Sequence, residues 1–211
     1  MKKITLLTIL IFGVFISSLT FMPEDIKTLS IGDKAPLISY KMLSTEGNKI
    51  TLSSIKQENG YIVIFSCNTC PFVIGGNAFP GWEKDYNTIS KWSKEAKLGI
   101  VLVNSNEAKR NEGDGMKDMK ARAKEMSYNI PYVLDKKHQL ADAFGAKTTP
   151  HIFVFDANDK LIYEGAIDNS WNPKVENKET FLKDALEAIK TKAVIKYNKT
   201  APKGCSIKRI S

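Results

Sequence analysis

Two cysteines separated by two residues, Cys67-Asn68-Thr69-Cys70, carry the clearest chemical signal in this chain. They follow the apolar run Tyr61 to Phe65 and precede Pro71, a residue suited to the first turn of a helix. A helix start presents unpaired N–H groups, which favour a thiolate. The spacing lets the second sulfur reach the first, so the pair can cycle between dithiol and disulfide. Cys67 is expected to be the exposed nucleophile and Cys70 the deeper, resolving thiol. Two other uses of such a pair stay open. A structural disulfide is one, and a metal site is the other. A zinc site needs four ligands, and only Cys205, His138 and His151 remain as further soft ligands.

Other residues form a second rank of candidates. Thr149-Pro150 leads into an apolar strand. His151 follows directly, and as an imidazolium it would lower the pKa of a nearby thiol; a packed strand histidine is the plainer reading. Cys205 is an odd third cysteine, able to relay a disulfide or to remain an inert thiol. Gly75-Gly76 and Phe79-Pro80-Gly81 should interrupt any long helix after Cys70. The result is either a kink or a loop that presents Phe72 and Phe79 to a partner. Met116, Met119 and Met126 fall at helical spacing and are expected to face the core.

These residues need a scaffold, and the pattern supplies one. Tyr61–Phe65 and Gly99–Val103 read as strands buried on both faces. A short strand is expected over Ile50, Leu52 and Ile55, and others at Tyr132–Leu134, Ile152–Phe155 and Leu161–Tyr163. The last two flank Asp156-Ala157-Asn158-Asp159 as a hairpin. Trp82, Tyr86, Ile89 and Trp92 share one helix face. Helices are also expected around Met116–Met126, from a cap at Asp135 to Phe144, and over Thr180–Lys190. Alternation of strand and helix predicts an α/β fold, a central sheet covered by helices.

The chain has 211 residues, of which 43% are hydrophobic and 26% charged, enough for one sizeable core. The net charge of +8 is dispersed, so nucleic-acid binding is not implied. Lys2 and Lys3 precede an uncharged apolar run from Ile4 to Met22, the pattern of an export signal. The expected organisation is a signal peptide or membrane anchor over residues 1–22, one domain over 29–190, and a basic tail over 191–211. The protein is then exported, either periplasmic or attached to the membrane through residues 4–22.

Cys67-x-x-Cys70-Pro71 after a strand, with Thr149-Pro150 ahead of a hairpin, resembles the thioredoxin-like superfamily. Ile31-Gly32-Asp33-Lys34-Ala35-Pro36, the Cys-Asn-x-Cys-Pro-Phe segment, Asn104-Ser105-Asn106 and Gly165-x-Ile167-Asp168 resemble its redoxin branch, related to alkyl hydroperoxide reductase and thiol-specific antioxidant proteins. The resemblance implies a thioredoxin-like fold, with a central mixed β-sheet and helices on both faces. It also implies a cis Thr149–Pro150 bond beside the dithiol, where Thr149, Pro150 and Phe72 meet an extended substrate. Some positions depart from the pattern. Tyr61 stands where many thioredoxins carry a buried acid, and Ser66 where they carry Trp. Gly60 and Ile64 replace the proline and hydroxyl residue of the peroxidatic motif. The expected function is exported thiol-disulfide oxidoreductase, with Cys67, Cys70 and Pro150 at the reacting centre, and His151 and Cys205 as accessory candidates. Neither a metal nor an organic cofactor is implied. Partners would be protein disulfides and a thiol donor or acceptor protein. Two rivals remain: a thiol-dependent peroxidase of antioxidant type, and a non-enzymatic copper-binding or redox-sensing module built on Cys67, Cys70 and His151.

Overall fold

The computed structural model describes residues 26–76 and 79–210. The apolar run of residues 4–22 lies outside them; among the described residues no helix is long and apolar enough to cross a membrane. The chain runs through β1 (Met42–Ser44), β2 (Lys49–Ile50), α1 (Leu52–Ile55), β3 (Tyr61–Ser66), α2 (Pro71–Ile74), α3 (Tyr86–Glu95), β4 (Gly99–Asn104), α4 (Met116–Glu125), β5 (Tyr132–Leu134), α5 (Gln139–Phe144), β6 (Thr148–Thr149), β7 (His151–Phe155), β8 (Leu161–Gly165), α6 (Phe181–Thr191) and β9 (Cys205–Ser206).

A mixed sheet in the order β2-β1-β5-β4-β3-β7-β8 organises the described residues. β3, β4 and β5 run parallel, while β7 pairs antiparallel with both β3 and β8. β3 is buried along its whole length because alternate residues feed two cores. Ile62 and Ile64 join Tyr86 and Ile89 of α3 and Leu182 and Leu186 of α6 on one face. Tyr61, Val63 and Phe65 join Leu52 of α1 and Leu140 and Phe144 of α5 on the other. Helices therefore cover both faces of a mixed sheet. Each fully buried large side chain contributes about 1.5–3 kcal/mol, against about 0–1 kcal/mol for an exposed ion pair such as Lys97–Glu58, so the two cores hold the scaffold.

Three segments differ from the sequence reading. Leu52 and Ile55, expected in a strand, lie in α1. Thr51 Oγ1 accepts the Ser54 N–H at 3.1 Å and Ser54 Oγ accepts the Thr51 N–H at 3.0 Å, a reciprocal cap that turns the chain into a helix. Of the three methionines, only Met119 is fully buried; Met116 and Met126 sit at the two ends of α4, half-buried. The third difference is the C-terminal segment, expected as a tail beyond the domain. Ile207 is 5% exposed and enters the same core as Phe65 and Phe144. Main-chain bonds tie the segment to the domain from Asn198 and Thr200, which pair with Glu164, to Ile207, whose N–H meets the Lys147 carbonyl.

Candidate active site

β3 ends at Ser66, which delivers Cys67 to the carboxyl edge of the sheet. The chain then turns through Asn68 and Thr69 into α2. This helix is a single turn, with Cys70 at its N-cap and Pro71 at its first position. It stops at Gly75, whose φ of 93° favours glycine and which passes so close to Pro80 that a Cβ would sit 2.6 Å from the Pro80 carbonyl oxygen. The helix after the dithiol is thus broken after one turn, as the glycines and Pro80 predict, and α3 begins only at Tyr86.

Thr149 brings the expected partners together. The Thr149–Pro150 peptide bond is cis. The Thr149 hydroxyl lies 3.1 Å from Cys67 Sγ, and Cys70 Sγ donates to the Thr149 carbonyl at 3.1 Å. One residue thus touches both sulfurs from the opposite side of the cleft.

The accessibility of the two cysteines differs from expectation. Both are 2% exposed, so Cys67 is not an exposed nucleophile. It is set beside Asp114, and burial pushes its thiol well up. Hydrogen-bond donors gather on Cys70 instead: the thiols of Cys67 and Cys205, and the Cys205 N–H at 3.3 Å. Ionisation of Cys70 gives up its bond to the Thr149 carbonyl but gains these donors. The bond from Cys67 contributes most, and Cys70 is drawn down to about 5. The helix start fails to favour Cys67 for a simple geometric reason: α2 is one turn long and starts at Pro71, four residues beyond it.

The Asn68-Thr69 turn is gripped by a carboxylate that the sequence reading did not single out. Asp114 is fully buried. Its Oδ1 accepts the Asn68 N–H at 2.7 Å and the Asn104 side-chain amide at 2.8 Å. Its Oδ2 accepts the Thr69 hydroxyl at 2.7 Å and the Asn106 amide at 3.0 Å. Arg110 clamps the same loop, donating to Asn104 Oδ1, to the Asn104 and Asp114 carbonyls, and to the Asp135 carbonyl. The available signal was the position of Gly113-Asp114-Gly115, after β4, on the edge of the sheet that carries Cys67.

Phe72 is half-buried and forms an aromatic cluster with Phe79 and Trp82. With Pro71, Trp171 and Lys203 it lines an apolar groove of about 440 Å³ beside Cys70. Lys203 Nζ lies 4.4 Å from the centre of the Trp171 ring. Trp82 is anchored by Asp168, which accepts its indole N–H at 2.9 Å. Ser66, in the usual place of Trp, shares a 2.8 Å hydrogen bond with the Tyr86 hydroxyl.

His151 is not aimed at the thiols. Its Nδ1 accepts the Lys147 N–H at 3.2 Å, and its Nε2 donates to Glu164 Oε1 at 2.6 Å. Burial lowers its pKa, so it is held neutral with both nitrogens engaged. This arrangement leaves no free nitrogen for a copper site with Cys67 and Cys70, and no imidazolium beside them. Cys205, by contrast, is at the centre. β9 pairs antiparallel with β6, with Cys205 opposite Thr149. The main-chain edge at Thr149 expected to receive a substrate strand is therefore filled by the protein's own C-terminal segment.

Comparison with known proteins agrees with this architecture. The Redoxin family model matches residues 30–182. The chain belongs to the Redoxin family. It is similar to an uncharacterized conserved protein from Geobacillus kaustophilus, with 27% identity and a TM-score of 0.76 over 86% of this chain and 93% of that one. A hypothetical protein from Sinorhizobium meliloti 1021 gives 25% identity and a TM-score of 0.75, over 88% and 97% of the two chains. The thioredoxin domain of a thiol-disulfide oxidoreductase from Bacteroides vulgatus shares the fold at 20% identity and a TM-score of 0.53, covering 76% and 97%. No curated protein sequence matches. Family membership supports an oxidoreductase in general terms, on a thioredoxin-like fold of the redoxin branch.

Proposed function

We propose that this Redoxin protein is an exported thiol-disulfide oxidoreductase, in which Cys67 and Cys70 exchange electrons with protein disulfides. The observation that carries the reading is the convergence of both sulfurs on Thr149, beside Pro150 and an apolar groove. In the reduced protein the donors gathered on Cys70 favour a thiolate there, while burial disfavours one on Cys67. The Cys70 thiolate attacks one sulfur of a substrate disulfide, and the other substrate sulfur leaves as a thiolate and is protonated. Cys67 then attacks Cys70 in the mixed disulfide, loses its proton, and releases the second substrate thiol. Two electrons pass to the substrate, and a Cys67–Cys70 disulfide remains. A thiol protein partner would restore the dithiol, and the reverse sequence would oxidise substrates. Export rests on the basic start and apolar run of residues 2–22. No metal or organic cofactor enters these steps.

A thiol peroxidase is the second reading, favoured by the Thr149 hydroxyl 3.1 Å from Cys67. It fits less well, because burial keeps Cys67 protonated and peroxide attack needs a thiolate. Insulin reduction and peroxide consumption, each driven by dithiothreitol, separate the two. The expected result is insulin reduction that is lost in Cys67→Ser and in Cys70→Ser, with slow peroxide turnover. Fast peroxide turnover lost in Cys67→Ser, without insulin reduction, would favour the peroxidase.

A further inference from the structure

Cys205 is the least buried of the three thiols. It is partly exposed, whereas Cys67 and Cys70 are each 2% exposed. Its place is built on both sides. Upstream, the Thr200 hydroxyl accepts the Ala166 N–H at 2.9 Å. Downstream, Ile207 is buried, the Lys208 N–H meets Asn106 Oδ1 at 2.9 Å, and Arg209 Nε meets Asp142 Oδ1 at 2.7 Å. Between these anchors β9 pairs with β6, and the Cys205 N–H points at Cys70 Sγ. Gly204 makes the approach possible, because a Cβ there would lie 2.1 Å from the Thr149 carbonyl oxygen. The contact is to Cys70 and not to Cys67.

We infer that Cys205 is a third redox cysteine, which passes the disulfide between the buried pair and solvent by exchange at Cys70. This rests on the reading of Cys67 and Cys70 as the redox pair. From the oxidised pair, Cys205 loses its proton and its sulfur attacks Cys70 Sγ. The Cys70–Cys205 bond forms and the Cys67–Cys70 bond breaks. The electron pair leaves with Cys67, which takes up a proton. One disulfide and one thiol stand on each side of the step, so no further oxidant or reductant is consumed. A small or protein thiol can then attack the outer sulfur, Cys205, forming a mixed disulfide there and releasing Cys70 as a thiol, and a second thiol frees Cys205 as the attacking thiols leave joined in a disulfide.

The state of the pair bears on the ionisation of Cys205. In the reduced protein the Cys205 thiol donates to Cys70, and burial together with that contact raises it to about 11. When Cys70 is in a disulfide its negative charge is gone, and Lys208 and the Phe72 N–H still favour a Cys205 thiolate. Oxidation of the pair thus removes the Cys70 contribution that raises the Cys205 thiol, while burial, the larger cause, remains.

The test uses the full chain in oxidised form, as wild type, Cys205→Ser and Cys205→Ala. Free thiols are blocked with N-ethylmaleimide in acid, and disulfide-linked peptides are mapped by mass spectrometry. In parallel, the rate of reduction by dithiothreitol is measured. The expected result is a Cys70–Cys205 linkage with Cys67 blocked in a fraction of the wild type, and reduction roughly tenfold slower in both variants, because the buried pair has lost its accessible sulfur. A wild type with only the Cys67–Cys70 linkage, reduced no faster than the variants, would overturn the relay while leaving the redox pair intact. Absence of a Cys67–Cys70 disulfide from all three proteins would instead overturn the underlying reading, and the relay with it. Thermal unfolding of each variant checks that the C-terminal segment stays docked.

Discussion

The dithiol is held between two segments of different physical character. On one side the loop from Asn104 to Gly115 grips Asn68 and Thr69 through side chains, centred on the fully buried Asp114 carboxylate and its four donors. On the other, the C-terminal segment lies against Cys70 through its backbone, with a short strand and one N–H to sulfur contact. A buried carboxylate is tolerable only while its donors stay in place, so the first segment fixes the turn between the two cysteines. The second segment places a partly exposed thiol beside the pair and leaves the turn itself alone. Geometry of the turn thus depends on one side, and the surroundings of Cys70 on the other.

Breaking the first side should have the larger effect. Asp114→Ala leaves the Asn68 N–H, the Thr69 hydroxyl and two asparagine amides without an acceptor. It is expected to cost about 3–5 kcal/mol of stability, the range for removing one partner of a buried charged network. Urea denaturation of the reduced protein measures this. A loss below about 1 kcal/mol, typical of an exposed polar contact, would show that Asp114 does not hold the turn.

The C-terminal side should respond less. Gly204→Ala puts a methyl group 2.1 Å from the Thr149 carbonyl oxygen, so β9 must lift. The expected cost is about 1–3 kcal/mol, as for overpacking a close contact, together with faster alkylation of Cys205. Unchanged stability and unchanged Cys205 labelling would mean that β9 does not sit against β6 in solution.

A subtler contrast lies within the pair. Donors gather on Cys70, which is drawn down to about 5, whereas burial pushes Cys67 up. For an acid with a lowered pKa the thiolate is present above that value and lost below it. Labelling of Cys70 by iodoacetamide in the reduced protein should therefore rise through about pH 5 and level off well below the ordinary thiol value of 9.0, with Cys67 labelled more slowly. Mass spectrometry over a pH series reads both sites. Preferential labelling of Cys67 at neutral pH would reverse the assignment.

The scaffold was largely legible in the sequence because its signals are local. Continuous apolar runs gave β3 and β4, the Asp156–Asp159 turn gave the β7–β8 hairpin, and Gly75 and Pro80 marked the break after α2. The cysteine pair and Thr149-Pro150 stood out for the same reason. What the sequence hid was long-range. Asp114 is 46 residues from the Asn68 N–H that it accepts, and nothing in a Gly-Asp-Gly loop announces burial. Residues 191–211 lack a helical or alternating pattern, because a two-residue strand and one buried isoleucine leave no periodicity. Cys205 therefore read as a tail residue although it rests against Cys70. The burial of Cys67 was also misjudged, since α2 is one turn long and begins only at Pro71.

Thiol-disulfide exchange at this site requires that Cys67 and Cys70 form a reversible disulfide. The most direct test is redox titration of Cys205→Ser, in which only this pair remains, across glutathione buffers with quantification of free thiols. The expected result is one reversible two-electron transition ending in an intramolecular Cys67–Cys70 disulfide. Thiols that stay free across the series, or that oxidise only between molecules, would contradict it.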